Sequence, residues 1–379
     1  MRILLITDSY YPTRDGVVTS ITTTKEGLEA LGHEVFVVAP APKEKDKLPG
    51  VHYFPAVSFK GYDGYFLPIL PSNKIETIKS LDVDVIHIHG IAVMALKGLI
   101  AARSLKKPTV LTFHTMVGDT MKYYSPLKMP DELAERLVWI YLRNLLKRPA
   151  ALITPTSSIS AELLGKGVKP KDLRVIPTGI DTRHFVSANG GKIRERHGLI
   201  GKKVIIHVGR ISFEKNISTV ILSLKYLTDV SLLIVGKGPS AAEDSLHELV
   251  ATNGLQDRVI FAGFVSDDEL PEYYGAADVA VSASEFETQG LSILEAMACG
   301  LPAACVKARA FTDFIEDGKN GAFFTNGAED CADAIMRCFA EKEKMGAYAR
   351  SSAESFSVEA SAASLTELYE EVIERNRGR

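Results

Sequence analysis

The chain of 379 residues is 46% hydrophobic and 24% charged, and it carries a net charge of −3. This length suits two domains of ordinary size, and the composition is that of a soluble globular protein. Because no apolar run reaches the roughly eighteen residues of a membrane-spanning helix, we expect any membrane contact to be peripheral. We also expect no nucleic-acid partner.

The amino terminus is apolar only from Ile3 to Ile6, which is too short for the core of a signal peptide and predicts a buried first strand. We therefore expect a cytoplasmic protein. Its four cysteines have no metal-ligand spacing, and we expect them to be small core residues in a reducing compartment. Residues 1–180 carry a net charge of +6 and the remainder −9. A basic half suits an anionic surface, but two solvated surfaces of unequal charge explain the count equally well.

Short runs of Val, Ile and Leu alternate with amphipathic stretches along the first half of the chain. Such runs, with little polar alternation, are typical of strands buried on both faces of a parallel sheet. The predicted strands are Arg2–Thr7, Glu34–Ala39, Asp84–His89, Thr109–His114, Ala151–Thr154 and Arg174–Ile176. Predicted helices between them include Val17–Leu31, which Gly32 closes, and Ala92–Ser104.

The same alternation restarts after a polar, glycine-bearing stretch, which marks a domain boundary. The second series of predicted strands is Lys203–Val208, Ser231–Val235, Arg258–Ala262, Val279–Ser282 and Pro302–Val306. Its predicted helices are Ile217–Leu227, Ser240–Asn253, Leu291–Cys299 and Ala328–Glu343. We predict an α/β protein of two doubly wound Rossmann-like domains, residues 1–182 and 183–357, facing each other across a cleft. The segment 358–379 is predicted to be a helix that packs back on the first domain.

In doubly wound sheets ligands bind beyond the carboxyl ends of the strands, so functional residues should follow strands. Glu287 lies after the predicted strand Val279–Ser282, and Glu295 lies about one turn inside the helix that Gly290 precedes. Two carboxylates can hold hydroxyl groups, and the backbone N–H groups of the helix start can bind a pyrophosphate. As an isolated pair, these acids are better explained as a solvated loop residue and a helix-surface residue.

Basic and glycine residues follow two other predicted strands of this domain. Arg210 and Lys215 come after Lys203–Val208, where they could neutralise a diphosphate leaving group. Gly236 follows Ser231–Val235 and lets a ligand approach the backbone. Exposed basic residues and a tight turn are the alternative interpretation.

These motifs together resemble the retaining GT-B glycosyltransferases, a family that includes phosphatidylinositol mannosyltransferases, sucrose synthases and glucosyl-diacylglycerol synthases. The resemblance covers nearly the whole chain. The residues that carry it are Gly209-Arg210 with Glu214-Lys215-Asn216, Gly236-Lys-Gly-Pro239, Ala276-Ala-Asp278, and the run from Glu287 to Pro302.

The resemblance implies a nucleoside-diphosphate sugar as donor, a UDP-sugar in preference to a GDP-sugar, and no cofactor. It places Arg210 and Lys215 on the donor phosphates, Glu295 on the ribose and Glu287 on the transferred sugar. The residues that it further implies in donor binding are Gly16, Gly236, Phe264, Val265, Gln289, Gly290, Leu291 and Ser292. With His114, the residues Arg210, Lys215 and Glu287 form the catalytic set.

In the first domain the loop after Arg2–Thr7 carries Asp15-Gly16 where the family usually has two glycines. Gly16 can still let the chain approach a phosphate, and Asp15 and Val17 are expected to face the acceptor. His114 ends a predicted strand and could donate a hydrogen bond to a sugar hydroxyl, as the family's comparable histidine does. A structural histidine is the alternative, and it applies better to His87 and His89, which should point to one face of their strand.

Two motifs invite a metal interpretation that we do not adopt. His87 and His89 have no evident carboxylate partner, and Asp82-x-Asp84 stands at the start of a buried strand, away from the ligand end. We predict no metal. The alternatives to a transferase are an inactive module that binds nucleotide sugars and an NAD enzyme on tandem Rossmann domains.

Residues 130–148 are predicted to be helical, with acids in the first turn and a stripe of Leu133, Leu137, Tyr141 and Leu145. Arg136, Arg143 and Lys147 fall on another face. Such a helix suits a peripheral membrane surface, and it is also ordinary solvated surface. Runs such as Thr112-Phe-His-Thr-Met116 resemble the glycolipid glucosyltransferase branch. We therefore expect a hexose, glucose, to be transferred to a lipid such as diacylglycerol at the inner face of the membrane, or otherwise to a soluble glycan.

Overall fold

The computed structural model describes residues 1–13, 15–58, 66–69, 75–114, 131–186, 189–325 and 327–378. The strands are β1 (Arg2–Thr7), β2 (Glu34–Pro40), β3 (Val51–Phe54), β4 (Ala56–Ser58), β5 (Phe66–Pro68), β6 (Val85–His89), β7 (Thr109–Thr112), β8 (Ala151–Thr154), β9 (Leu173–Val175), β10 (Lys203–Val208), β11 (Val230–Val235), β12 (Val259–Gly263), β13 (Val279–Ser282), β14 (Ala303–Val306) and β15 (Gly321–Phe324).

The helices are α1 (Gly16–Ala30), α2 (Ile75–Ser80), α3 (Val93–Leu105), α4 (Asp131–Leu146), α5 (Ser157–Gly165), α6 (Thr182–Val186), α7 (Gly191–Arg196), α8 (Ile217–Ser223), α9 (Ser240–Thr252), α10 (Leu270–Gly275), α11 (Leu291–Ala298), α12 (Phe311–Phe314), α13 (Gly327–Ala340), α14 (Lys342–Ala353) and α15 (Val358–Arg377). Short 3₁₀ turns occur at Glu44–Asp46, Phe213–Lys215, Leu224–Tyr226 and Glu354–Phe356. Of the helices formed by the described residues, none is both long enough and apolar enough to cross a membrane.

The chain forms two compact units, one of residues 1–179 with 358–379 and one of residues 180–357. The division falls slightly before the predicted boundary after residue 182, because Ile180 already belongs to the second unit. Its backbone N–H donates to the carbonyl oxygen of Phe356 at 2.8 Å. The first and last residues of the second unit therefore lie side by side.

Unit 1 is built on a parallel sheet in the order β3-β2-β1-β6-β7-β8-β9, and β4 and β5 form a separate antiparallel hairpin. The predicted strand Thr109–His114 is too long, because the ladder ends at Thr112 and His114 lies in the loop beyond it. α15 packs against α1, and the two helices are so close that a Cβ at Gly27 would lie 2.7 Å from Val358 Cγ1. Leu365, Leu368 and Tyr369 of α15 are buried in the core of this unit.

Unit 2 has a six-stranded parallel sheet in the order β12-β11-β10-β13-β14-β15, which is the Rossmann arrangement. The expectation of one helix over Ala328–Glu343 is wrong, because α13 ends at Ala340 and α14 begins at Lys342. All four cysteines are free of disulfide bonds; Cys305, Cys331 and Cys338 are buried in the core as predicted, whereas Cys299 is only partly buried.

Candidate functional site

The strand order of unit 2 reverses between β10 and β13, which are adjacent in the sheet. In open α/β sheets the ligand crevice lies at this switch point, beyond the carboxyl ends of the two strands. β10 leads into Gly209-Arg210, and β13 leads into the loop that holds Glu287. Arg210, Lys215 and Glu287 therefore follow the two strands that flank the crevice.

An ion pair joins the loops that follow these two strands. Lys215 ends the 3₁₀ turn after β10, and its Nζ donates to Oε1 of Glu287. The side chains are only 22% and 19% exposed. Burial alone would raise the pKa of Glu287, but the Lys215 ammonium reverses this effect and holds that pKa below its usual value. Glu287 is therefore an anion at neutral pH.

His207 lies on β10 and is buried close to this pair. Its Nδ1 is 3.2 Å from the carbonyl oxygen of Val281, and since a carbonyl only accepts, Nδ1 carries the proton. Burial lowers the pKa of His207 to about 4, so the ring is neutral. Within the described part of the chain its Nε2 has no hydrogen-bond partner. Sequence reasoning missed His207; the available signal was a polar residue inside the apolar run that follows Lys203 in this strand.

Arg210 is held by a second acid of the same segment. Its Nη2 lies 2.8 Å from Oε1 of Glu214, whose side chain is buried. Burial acts to raise the pKa of Glu214, but its backbone N–H and the Arg210 guanidinium outweigh burial and lower it. The charged Glu214 thus orients Arg210, a role that the sequence did not reveal.

Glycines allow the loops after β10 and β11 to touch. Gly236 has φ +138°, and a Cβ there would lie 1.9 Å from the carbonyl oxygen of Gly209. The close approach that requires Gly236 is therefore between two loops. Phe264 and Val265 follow the neighbouring strand β12, and Phe264 is 54% exposed, so an aromatic face lies at the same edge of the sheet.

α11 begins at Leu291. Gly290 is its N-cap in the left-handed region, with φ +80°, and as a glycine it has no side chain with which to cap the helix. A Cβ at Gly290 would lie 2.7 Å from Cε1 of Phe311, so only glycine fits. The N–H groups of the first turn, at Leu291 and Ser292, have no partner within the helix and can bind an anion. Gln289, just before the helix, is buried.

Glu295 lies one turn further into α11, beside Tyr274 of α10. The Tyr274 hydroxyl lies 2.8 Å from Oε2 of Glu295 and 3.0 Å from the carbonyl oxygen of Ser292. Burial raises the pKa of Glu295, and the Tyr274 hydroxyl opposes this only in part. Tyr274 was missed by the sequence analysis, since no local pattern separates it from a core tyrosine.

Asp278 in Ala276-Ala-Asp278 has a structural role. Its carboxylate accepts from the backbone N–H of Val204 at 2.8 Å and pairs with Arg194 and Lys342. This motif therefore anchors the start of β10 and does not face the carboxyl edge of the sheet.

In unit 1, Asp15 is the N-cap of α1. Its Oδ1 accepts from the N–H groups of Val17 and Val18, both at 2.9 Å, and its Oδ2 accepts from the Ser9 hydroxyl at 3.1 Å. Gly16 is the exposed first residue of the helix. The carboxylate of Asp15 is thus directed back into its own loop, and contact of Asp15 or Val17 with an acceptor stays a prediction.

His114 lies beyond β7 and is linked to the two histidines of β6. Its Nε2 is 3.0 Å from Nδ1 of His89, and the rings of His87 and His89 are 4.0 Å apart. The prediction that His87 and His89 share one face of their strand is confirmed. Burial lowers the pKa of His114 to about 4, against the opposing effect of Asp15. Among the described residues no group of three or more His, Cys, Asp or Glu is placed to hold a metal ion.

Comparison with known proteins agrees with this geometry. Residues 14–184 match glycosyltransferase family 4, and residues 191–354 match glycosyl transferases group 1. An alpha-monoglucosyldiacylglycerol synthase from Acholeplasma laidlawii is 31% identical over 99% of this chain and 98% of that protein. The enzyme of the same name from Streptococcus pneumoniae is 34% identical over 89% of this chain and 78% of that protein.

The fold is also that of solved glycosyltransferase structures. The crystal structure of Anabaena HepE in complex with UDP and glucose has a TM-score of 0.80 at 20% identity, covering 98% of this chain and 100% of that chain. Three findings lead to one conclusion: the two Rossmann-like sheets, the family matches at both ends of the chain, and the relatives above 30% identity. The chain belongs to the group 1 glycosyltransferases of the GT-B fold.

Proposed function

We propose that the chain is a retaining, metal-independent glycosyltransferase that transfers glucose from UDP-glucose to a lipid, diacylglycerol. The observation that carries the proposal is the partly buried Lys215–Glu287 pair at the switch point of unit 2. It places a cation and a hydroxyl acceptor together, as a sugar diphosphate requires. The names of the two synthases support the choice of sugar and acceptor.

For the donor, the main requirement is to stabilise the negative charge of the diphosphate. Lys215, Arg210 and the N–H groups at the start of α11 would stabilise the negative charge that grows on the departing diphosphate. Because these groups supply fixed positive potential, the reaction as proposed needs no metal ion and no cofactor. Each cation is already oriented by its own acid, Glu287 or Glu214, before substrate arrives.

The remaining groups would orient the nucleotide and the sugar. Glu287 would accept hydrogen bonds from sugar hydroxyls, and Glu295, steadied by Tyr274, would hold the ribose. Hydrogen bonding to two hydroxyls favours the ionised form of Glu295 and offsets the effect of burial. The exposed face of Phe264 and the backbone at Val265 and Gly236 would border the base, with Gln289 and Ser292 beside the helix start.

For the chemical step we propose departure and attack on the same face of the sugar. The bond from the anomeric carbon to the phosphate oxygen breaks, and the acceptor hydroxyl oxygen bonds to that carbon. The hydroxyl proton passes to the leaving phosphate oxygen, which keeps the electron pair of the broken bond. Glu287 is committed to Lys215, so we assign it an orienting role and no covalent one.

The surface of α4 supports the proposal of a lipid acceptor. Leu133, Leu137, Ile140 and Tyr141 are exposed along this helix, and Leu137 is 49% exposed. Leu145 does not belong to this surface, contrary to the predicted stripe, because it is buried in the core with Trp139 and Leu142. An exposed apolar stripe on a helix that ends in basic residues suits the interface of an anionic membrane. We propose that the enzyme works there as a peripheral protein on the cytoplasmic side.

The test is transfer from a panel of UDP- and GDP-sugars to vesicles with and without diacylglycerol. We expect a glucolipid from UDP-glucose, with the α configuration at the anomeric carbon by NMR. Release of free sugar only, or transfer only to soluble glycans, would refute the lipid acceptor. Binding of nucleotide sugar with neither hydrolysis nor transfer would identify an inactive binding module instead.

The surface of α4 is tested separately with Leu137→Asp. The matched control is Ile200→Asp, since Ile200 is also an exposed aliphatic residue, at 69%, but lies in unit 2. We expect only Leu137→Asp to reduce vesicle binding and lipid glucosylation, with the melting temperature unchanged in both. Equal vesicle binding by the two variants would contradict a membrane role for α4.

A further inference from the structure

The strands β10 and β13 are paired over only part of their common length. Their ladder ends at the pair of Ile206 with Ala280. The next pair in this register would be His207 with Val281, and within these two fully described strands it is not formed. β10 nevertheless continues beside β11, and β13 continues beside β14. Backbone pairing therefore stops short of the carboxyl edge, at the switch point where ligands bind in such sheets.

The ring of His207 takes the place of the missing pair. Its Nδ1–H donates to the carbonyl oxygen of Val281 at 3.2 Å. On the other side of the buried ring, a Cβ at Gly209 would lie 3.8 Å from Nε2, which is ordinary van der Waals contact. The ring therefore lies between β13 and the start of the loop that follows β10. It joins the two strands by a side chain where the backbone does not.

His207 makes this link as a neutral group. Its pKa is lowered to about 4, chiefly by burial and in part by the Lys215 ammonium, while the Val281 carbonyl and the Glu287 carboxylate oppose the shift. Because Coulomb interactions weaken with distance, both members of the ion pair lie near the ring. A neutral His207 thus bridges the strands without placing a second cation beside Lys215.

Stability alone does not call for a histidine at this position. Nε2 of His207 is buried and has no protein partner within the described part of the chain. A buried acceptor left without a hydrogen bond lowers the stability of the folded state. Leucine fills a similar volume and brings no such atom, but it cannot donate to Val281. The feature that leucine would lose is the link between the two strands.

The loops that follow these two strands carry the ion pair of the site. Lys215 follows β10 and Glu287 follows β13, so the separation of the strand ends sets the separation of the two side chains. We propose that His207 is a positioning residue, which fixes that separation and so aligns Lys215 on the donor phosphates with Glu287 on the transferred sugar. This rests on the proposed function for the roles of Lys215 and Glu287. Because charge on the leaving group grows only towards the transition state, misalignment should reduce turnover more than binding.

The bridge between the strands is measured without any substrate. In protein labelled with ¹⁵N histidine, long-range ¹H–¹⁵N spectra distinguish a protonated ring nitrogen from a bare one, and we expect His207 to be protonated on Nδ1. The ¹³C resonance of the Val281 carbonyl should shift in His207→Leu, which removes its donor. Ile205→Val is the matched control, because it trims a buried side chain of the same strand and leaves that donor in place. A native His207 protonated on Nε2, or an unshifted Val281 carbonyl in His207→Leu, would overturn the proposal.

Kinetics then separate positioning from a purely structural role. We expect His207→Leu to lower kcat about ten-fold, with KM for UDP-glucose nearly unchanged. Its denaturation midpoint should stay close to native, because one unpartnered nitrogen is removed as one carbonyl loses its donor. Ile205→Val should do the opposite, with a lower midpoint and a native kcat. His207→Asn places an amide N–H where Nδ1 stood, and it should recover part of the lost kcat.

The two proposals can fail separately. A native kcat in His207→Leu, or a kcat that falls only as far as the denaturation midpoint explains, would show that His207 has no positioning role. Because the spectra need no turnover, a native protein that transfers no sugar would count against the proposed function alone. Protonation of His207 on Nδ1 and the shift at Val281 would in that case still support the bridge between the strands.

Discussion

Replacing Lys215 by methionine removes the ammonium of the partly buried pair and keeps an unbranched side chain of similar length. It leaves the Glu287 carboxylate, 19% exposed, without its cation. The pair is partly buried, so removal of one partner should cost about 1–3 kcal/mol, because the remaining carboxylate is only partly solvated. We expect this loss in the free energy of unfolding near neutral pH. We also expect at least a hundred-fold loss of transfer, since a group that meets leaving-group charge is gone.

The pH dependence of the stability loss identifies the unpaired Glu287 carboxylate as its cause. In the native protein the folded-state pKa of Glu287 is lowered, so its stabilisation is present above the unfolded pKa and is lost as pH falls through the folded one. Without Lys215, burial is the largest influence left and raises that pKa above the unfolded value. The penalty then exists above the raised pKa and disappears as pH falls. The difference in stability between native protein and variant should therefore shrink on acidification.

The assay is denaturant unfolding at two pH values, together with steady-state transfer from UDP-glucose. The control is the double variant Lys215→Met with Glu287→Gln, in which no charge is left unpaired. We expect it to recover most of the lost stability and none of the lost activity. The reasoning is refuted if the single variant unfolds at the same denaturant concentration as the native protein, or if the double variant transfers sugar at the native rate.

Two further predictions concern Tyr274, which contacts Glu295 of α11, and Gly290, which precedes α11. Tyr274→Phe removes the hydroxyl that donates to Glu295, and steady-state kinetics should show KM for the donor raised about five-fold with kcat near native; an unchanged KM would argue against Glu295 as the ribose ligand. Gly290→Ala puts a Cβ into Phe311 at φ +80° and should cost about 1–3 kcal/mol of stability and weaken UDP binding by calorimetry. Gly300→Ala, at φ +84° beyond the other end of α11, is the control, since it should lower stability but leave UDP affinity intact.

The buried strands were predictable because their composition and their environment agree. β1, β8, β10 and β13 have the predicted bounds, since a continuous apolar run suits a strand covered on both faces. The strands that were missed lie at sheet edges or outside the main sheets. β15, Gly-Ala-Phe-Phe, has no β-branched residue, and β3 contains His52 and Tyr53. The break between α13 and α14 has no glycine or proline to announce it.

The candidate site could be predicted only as a set of separate residues. The sequence predicts that Lys215 and Glu287 each follow a strand. Only the parallel pairing of β10 with β13 brings their two loops together. His207 contacts Val281, and Tyr274 contacts Glu295; each partner lies far along the chain. Because such contacts depend on three-dimensional packing, their positions look like ordinary core residues in the sequence.

The two substrates of the proposed reaction differ in how strongly each would constrain the sequence. A sugar diphosphate needs fixed charges, and each buried or half-buried charge needs a counter-charge, which is why Arg210 comes with Glu214 and Lys215 with Glu287. A diacylglycerol offers one hydroxyl and long apolar chains, and apolar contact requires no particular residue at a particular place. In the proposed reaction, exposed leucines such as Leu137 would serve that purpose as well as any others. Variants of the α4 surface therefore test the proposed lipid acceptor more selectively, because variants of the charged site would abolish transfer to every acceptor alike.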